Sequence, residues 1–165
     1  MMSILGKLPA SARNGGNPKT PKSNKVVVVL DTNHFTEFAN ASPCGHRLIA
    51  RMSERNADFF TCIVAAEESL QGWLAFIRRH TPGTAQLEAY ARLQSCIEAL
   101  NKFTILPFDS DAANHFHRLQ TQRIRVGTMD LKIASICIAH DALLLSRNLV
   151  DFEKIPDLRV ENWLD

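Results

Sequence analysis

No apolar run in the 165 residues approaches the roughly 20 that a membrane-spanning helix needs, and the amino terminus lacks the continuous apolar stretch of a secretory leader. The expectation is a soluble, cytoplasmic protein with no membrane partner. Cysteine is sparse. Cys44, Cys62, Cys96 and Cys137 are scattered without a Cys-x-x-Cys pair, and three lie in apolar periodic segments. That argues for small buried hydrophobes in a reducing compartment and against a disulfide framework. The six histidines show neither His-Glu-x-x-His nor paired Cys/His spacing, which disfavours a zinc site. A strong charge of either sign is missing too: five of the 19 bases fall in residues 1–25, which hold no acid, leaving 14 bases against 17 acids from residue 26 onward. The bulk charge of that portion does not mark a nucleic-acid binder.

What remains, 45 % hydrophobic and 22 % charged, suits one globular domain. Residues 1–24 are rich in Gly, Pro, Ser, Asn and Lys without sustained periodicity and read as a disordered basic tail. From Lys25, "KVVVVLDTN" has the continuous β-branched pattern of a strand buried on both faces, which implies a parallel sheet. A short helix, a break near Pro43 and a second helix to about Asn56 follow, then a brief strand at 60–63 and a helix from about Val64 to residue 79. In 84–101, Leu87, Tyr90, Ala91, Leu93, Ile97 and Leu100 share one helical side, making the second arm of a hairpin with 64–79. Trp73, Phe76 and Ile77 of that hairpin are expected in the core, with a docking groove as the less favoured role. "FTILPF" is a strand, followed by a helix over 109–122 capped by Asp109 or Ser110. "GTMDLKIASICIAH" is a helix that Thr128 is placed to cap; "ALLLSRN" and "LRVENW" are further strands. Strands alternating with helices predict an α/β fold, a mainly parallel sheet with helices on both faces.

In such sheets ligands collect at the carboxyl ends of the strands. Asp31 ends the most hydrophobic strand, Glu67 and Glu68 follow the second, Asp130 opens the helix before "ALLLSRN", and Asp151 lies one turn beyond Asn148. Each acid alone has a plain reading; an acid in the first turn of a helix, for example, is favoured by about 0.3–1 kcal/mol. Gathered at one sheet edge, they repel unless divalent cations neutralise them. Oxygen-only ligands favour Mg²⁺ or Mn²⁺, which activate water and stabilise the leaving group in phosphodiester hydrolysis.

The order of these motifs resembles that of the PIN-domain ribonucleases, in particular the VapC-type toxins of bacterial toxin–antitoxin pairs. The likeness runs through "VVVVLDTN", "TCIVAAEESLQGW", "GTMDLKIASICIAH" and "ALLLSRNLVDFEKIPDLRVENW", spanning nearly all of residues 25–165. It implies a three-layer α/β/α sandwich, a PIN-like nuclease domain over 25–165, and metal-dependent endoribonuclease activity on RNA. A cognate antitoxin and a homodimer are implied as partners. By position it makes Asp31, Glu68 and Asp130 the acids that hold Mg²⁺ or Mn²⁺; Gly72, four residues after Glu68, selects Glu68 over Glu67. The family's fourth acid is replaced by Asn148, so that an acid appears only at Asp151, the remaining catalytic candidate. Asn33 and Ser146 would orient Asp31 and site waters, and Arg147 would contact an RNA phosphate.

Two phosphate-chemistry folds fit less well. A haloacid-dehalogenase-type phosphatase needs Asp where Asn33 stands, and a receiver domain needs a lysine where Arg147 stands. The stronger rival is a PIN fold that binds RNA or protein without cutting, for which Asn148 gives some footing.

Overall fold

The computed structural model describes residues 25–165; the segment 1–24, expected as a tail, lies outside the described residues. Five strands form one parallel sheet, β1 (Val26–Leu30), β2 (Ala57–Cys62), β3 (Thr104–Leu106), β4 (Leu143–Leu145) and β5 (Arg159–Glu161), in the order β3-β2-β1-β4-β5. Between them run α1 (Thr32–Ala39), α2 (Pro43–Glu54), α3 (Ile63–Arg78), α4 (Leu87–Leu100), α5 (Ser110–Thr121), α6 (Thr128–Ala139) and α7 (Leu149–Phe152). The three-layer α/β/α expectation is met.

The central strands have two buried faces, as their unbroken apolar runs imply. Side chains alternate, so Val29, Phe60, Cys62 and Leu144 pack under α5, α6 and α7, while Val28, Leu30 and Leu145 pack under α1, α2 and α4. Leu131, Ile133, Ala134, Ile136 and Cys137 are buried along α6, which therefore lies in the core rather than on it. Burial pushes the Cys62 thiol up to about 12 and the Cys137 thiol well above its usual range, as befits packing residues. Among the described residues no helix is long and apolar enough to cross a membrane.

Several boundaries differ from the sequence reading. β2 begins at Ala57 and α3 at Ile63. β4 stops at Leu145; Ser146 N–H still reaches Glu161 O of β5 (3.0 Å), but the N–H groups beyond it leave the ladder, Arg147 donating to Asn33 Oδ1 (3.1 Å) and Asn148 to Ser146 Oγ (3.0 Å). Thr128 does not cap α6. Gly127 takes that position without a side-chain bond, and Thr128 is the first helical residue. Asp109, of the two expected candidates, caps α5 through Ala112 N–H (3.0 Å). The core side of α4 is also not the apolar stripe expected. Ala89, Cys96, Ala99 and Leu100 are buried, whereas Leu87, Tyr90 and Ile97 are exposed. The small residues let α4 approach its neighbours closely and turn the larger ones outward. On α3, Ile77 is buried, Trp73 partly so, and Phe76 exposed against the Trp73 ring.

α1 carries residues of the sheet's carboxyl edge, and its placement depends on α2. Ser42 caps α2 and Pro43 opens it. A Cβ on Gly45 would sit 2.1 Å from Glu37 O, so α2 can cross the end of α1 only where residue 45 has no side chain. Gly45→Ala is predicted to lower stability by about 1–3 kcal/mol, read as a fall in the urea midpoint with an unchanged slope.

Candidate active site

Strand order reverses between β1 and β4, since the chain turns from β1 towards β2 and β3 on one side and from β4 towards β5 on the other. The crevice at the carboxyl ends of this pair is the expected ligand site of a parallel sheet. Pairing of Leu30 with Leu145 sets the residues that follow, Asp31 and Ser146, side by side. A cleft of about 580 Å³ lies elsewhere, towards the amino-terminal ends of the strands beside Arg55, Arg159 and Trp163, and is lined by none of the candidate acids.

Asp31 is 5 % exposed and caps α1. Its Oδ1 accepts from Thr32 N–H (2.6 Å), and its Oδ2 from Ser146 Oγ (2.7 Å) and Asn33 Nδ2 (3.0 Å). A carboxylate has about four lone-pair sites. Three are taken, and the one left open is on Oδ1. Glu68 reaches in from the second turn of α3 and accepts from Thr32 Oγ1. Asp130, in the first turn of α6, accepts from Asn148 Nδ2 at 3.2 Å, and the same amide nitrogen donates to Asp151 at 3.2 Å.

These acids share an electrostatic field. Burial raises the Asp31 carboxyl, and the Glu68 charge raises it further against the pull of its hydrogen bonds. Burial, then the charges of Asp31, Glu68 and Asp151, push Asp130 up to about 6. Among the described residues no Lys or Arg forms an ion pair with Asp31, Glu68 or Asp130. Asp151 differs. Lys154 bonds it at 2.6 Å and, with Asn148, holds its carboxyl below the usual range.

Of the expected site residues, Asp31, Glu68, Asp130, Asn33, Ser146 and Asn148 are brought together, and Asp151 joins through Asn148. Glu67 is not: it is exposed and bonded to Gln71 one turn along α3 (2.9 Å). Arg147 places its backbone on Asn33, while its guanidinium pairs with Glu37 (3.2 Å) and Asp165 (3.8 Å). Thr32 and His34 were missed. Thr32 stands between Asp31 and Glu68 in a motif already singled out, so its neighbours were the available signal. His34 gave none, because its partner Trp163 is 129 residues away.

The donor set is all oxygen, which suits a hard divalent cation. Among the described residues no three acids already converge into a metal-binding group, with Glu68 turned onto Thr32 and Asp130 onto Asn148. The mutual repulsion of carboxylates without a cationic side chain is the feature of this crevice that a bound cation relieves.

Comparison with known proteins bears on the family and the fold. A family model described as the PIN domain matches residues 28–158. Ribonuclease VapC2 of Rickettsia felis is 26 % identical over 143 residues, covering 84 % of this chain and 98 % of that protein. The tRNA(fMet)-specific endonuclease VapC of Salmonella typhimurium is 29 % identical over 68 residues, 39 % of this chain and 52 % of that one. In fold, the chain is similar to VapBC2 from Rickettsia felis bound to a promoter DNA fragment, with a TM-score of 0.66 at 22 % identity, covering 84 % of this chain and 99 % of the matched one. VapBC-1 of nontypeable Haemophilus influenzae gives 0.67 at 18 % identity over 85 % of this chain and 100 % of that one.

The raised Asp130 carboxyl makes a prediction about stability without divalent ions. Its folded-state value, about 6, lies above the unfolded 3.8. The folded state then binds the extra proton between those values, and the penalty is full above about pH 6 and fades as pH falls towards 3.8. Asp130→Asn is therefore expected to be more stable than wild type in EDTA at pH 7.5, with the gain shrinking at pH 4, as read by urea unfolding at both pH values.

Proposed function

This chain belongs to the PIN-domain family, and on that footing we propose that it is a Mg²⁺- or Mn²⁺-dependent endoribonuclease, the toxin of a toxin–antitoxin pair. The observation that carries this reading is the trio Asp31, Glu68 and Asp130 at the strand-order reversal, where the Glu68 charge raises the Asp31 carboxyl, both raise Asp130, and among the described residues no Lys or Arg pairs with any of the three. The relatives named ribonuclease VapC and the VapBC complexes of similar fold support it.

A divalent cation, when bound, supplies charge neutralisation and an acidified water for attack on an RNA phosphodiester. Asp31 through Oδ1, Glu68 through Oε1 and Asp130 through Oδ1 are the residues that would hold it. Ser146 and Asn33 orient Asp31 by occupying Oδ2. Thr32 steadies Glu68. Asn148 takes the place of a fourth acid and donates to Asp130 and Asp151, lowering the negative charge the site must gather. Asp151, neutralised by Lys154, acts at the rim. Arg147 meets an incoming phosphate by exchanging its contacts with Glu37 and Asp165. The outward apolar residues Leu74, Phe76, Leu87, Tyr90 and Ile97 offer surface for the antitoxin or a second copy of the chain. Cytoplasmic RNA is the substrate pool in this reading.

The test is cleavage of a pool of structured RNAs by purified protein in Mg²⁺ or Mn²⁺, beside EDTA. Asp31→Asn, Glu68→Gln and Asp130→Asn are each expected to lose more than about 100-fold in rate, and Ser146→Ala about 10–100-fold. Glu67→Gln should stay within about 3-fold of wild type, since its side chain faces away. Cleavage that survives EDTA and Asp31→Asn would sink the proposal. A protein that binds RNA but cuts nothing in either metal would favour the non-catalytic alternative that Asn148 allows.

A further inference from the structure

His34 is fully buried on α1, yet both ring nitrogens are engaged. The backbone N–H of Trp163 donates to Nε2 (3.1 Å). That nitrogen therefore carries no proton, and the neutral ring is protonated at Nδ1. Nδ1 lies 2.8 Å from Asn33 Oδ1 and so donates to it. The backbone N–H of Arg147 donates to the same oxygen at 3.1 Å.

Two donors arriving on Oδ1 decide which way the Asn33 amide faces. Its Nδ2 is directed at Asp31 Oδ2 (3.0 Å), with Ser146 Oγ at 3.4 Å. A flipped amide would put its oxygen against the carboxylate and its NH₂ against two N–H groups, losing bonds at both ends. Nδ2 and Ser146 Oγ together fill Oδ2, and the open lone pair of Asp31 falls on Oδ1.

We propose that His34 is a positioning residue: through Asn33 it fixes the Asp31 carboxylate and ties the segment after β5 to the site. The inference rests on the nuclease reading and deepens it. That segment is well anchored. Trp163 O accepts from Arg51 Nη1 (2.6 Å), Leu164 O from Arg47 Nη2 (3.2 Å), and the Trp163 ring packs edge-on against Phe59. A line of hydrogen bonds thus runs from Trp163 through His34 and Asn33 to Asp31, joining α1 and the chain end around one carboxylate.

Long-range ¹H–¹⁵N correlation on the full-length wild type reads the tautomer directly. The expected signal is a neutral His34 protonated at Nδ1; protonation at Nε2 overturns the proposal. Variants separate positioning from space filling. His34→Asn keeps a donor for Asn33, His34→Gln keeps an acceptor for Trp163, and His34→Leu keeps neither. His34→Leu and His34→Gln should lose about 10–100-fold in Mn²⁺ affinity and in kcat with little change in KM for RNA, while His34→Asn recovers to within about 5-fold of wild type. Unchanged affinity in a folded His34→Leu overturns the proposal, as does loss in His34→Asn that parallels its loss of Tm. Should His34→Leu not fold, the contrast between His34→Asn and His34→Gln decides. A wild type that neither binds Mn²⁺ nor cuts RNA refutes the nuclease reading, whereas the tautomer still tests the hydrogen-bonded line.

Discussion

A carboxylate almost wholly withdrawn from water, with no cationic side chain among the described residues paired to it, is the constraint on which this structure turns. Asp31 is tolerable only because donors from two parts of the chain converge on it: Thr32 and Asn33 from the start of α1, and Ser146 from the end of β4. The pairing of β1 with β4 makes that convergence possible, since the register of Leu30 with Leu145 carries Asp31 to Ser146 and bonds Asp31 N–H to Leu145 O (3.0 Å). A slip of one residue in that pairing would turn every side chain of β4 to the other layer. The two apolar layers therefore fix the polar site.

The surrounding acids are placed to oppose the folded state rather than to support it. The Glu68 charge adds to the cost of ionising Asp31, and the charges of Asp31 and Glu68 together add to that of Asp130. Such strain among like charges is retained where binding relieves it. The remaining polar groups limit the strain. Asn148 substitutes two hydrogen bonds for a further negative charge, and Lys154 takes Asp151 out of the repulsion. The crevice holds negative charge chiefly where the trio can share one ion.

Much of the fold was legible in the chain because its strongest signals are local. The β-branched run before Asp31 and the apolar span of α6 both announced buried elements of a parallel sheet; Asp31 and the Glu67–Glu68 pair stood out after strands and Asp130 at the mouth of a helix, while the choice of Glu68 came from the family resemblance through Gly72. The errors arose where tertiary contacts outweigh local preference. In α4 the large residues Leu87, Tyr90 and Ile97 formed the obvious stripe, but Ala89, Cys96 and Ala99 make the close contact. Thr128, a good cap by composition, gave way to Gly127. Glu67 and Glu68 are adjacent, and only the helix phase of α3 sends one inward and the other to solvent. The role of His34 depends on Trp163 and was invisible without the folded chain.

Anomalous diffraction from a crystal soaked in Mn²⁺ decides whether Asp31, Glu68 and Asp130 hold one divalent ion in common, as proposed. The expected result is a peak at a metal–oxygen bonding distance from Asp31 Oδ1, with carboxylate oxygens of Glu68 and Asp130 turned towards it and Oδ2 of Asp31 still held by Asn33 and Ser146. A crevice without a peak, at Mn²⁺ concentrations that support RNA cleavage, would contradict it.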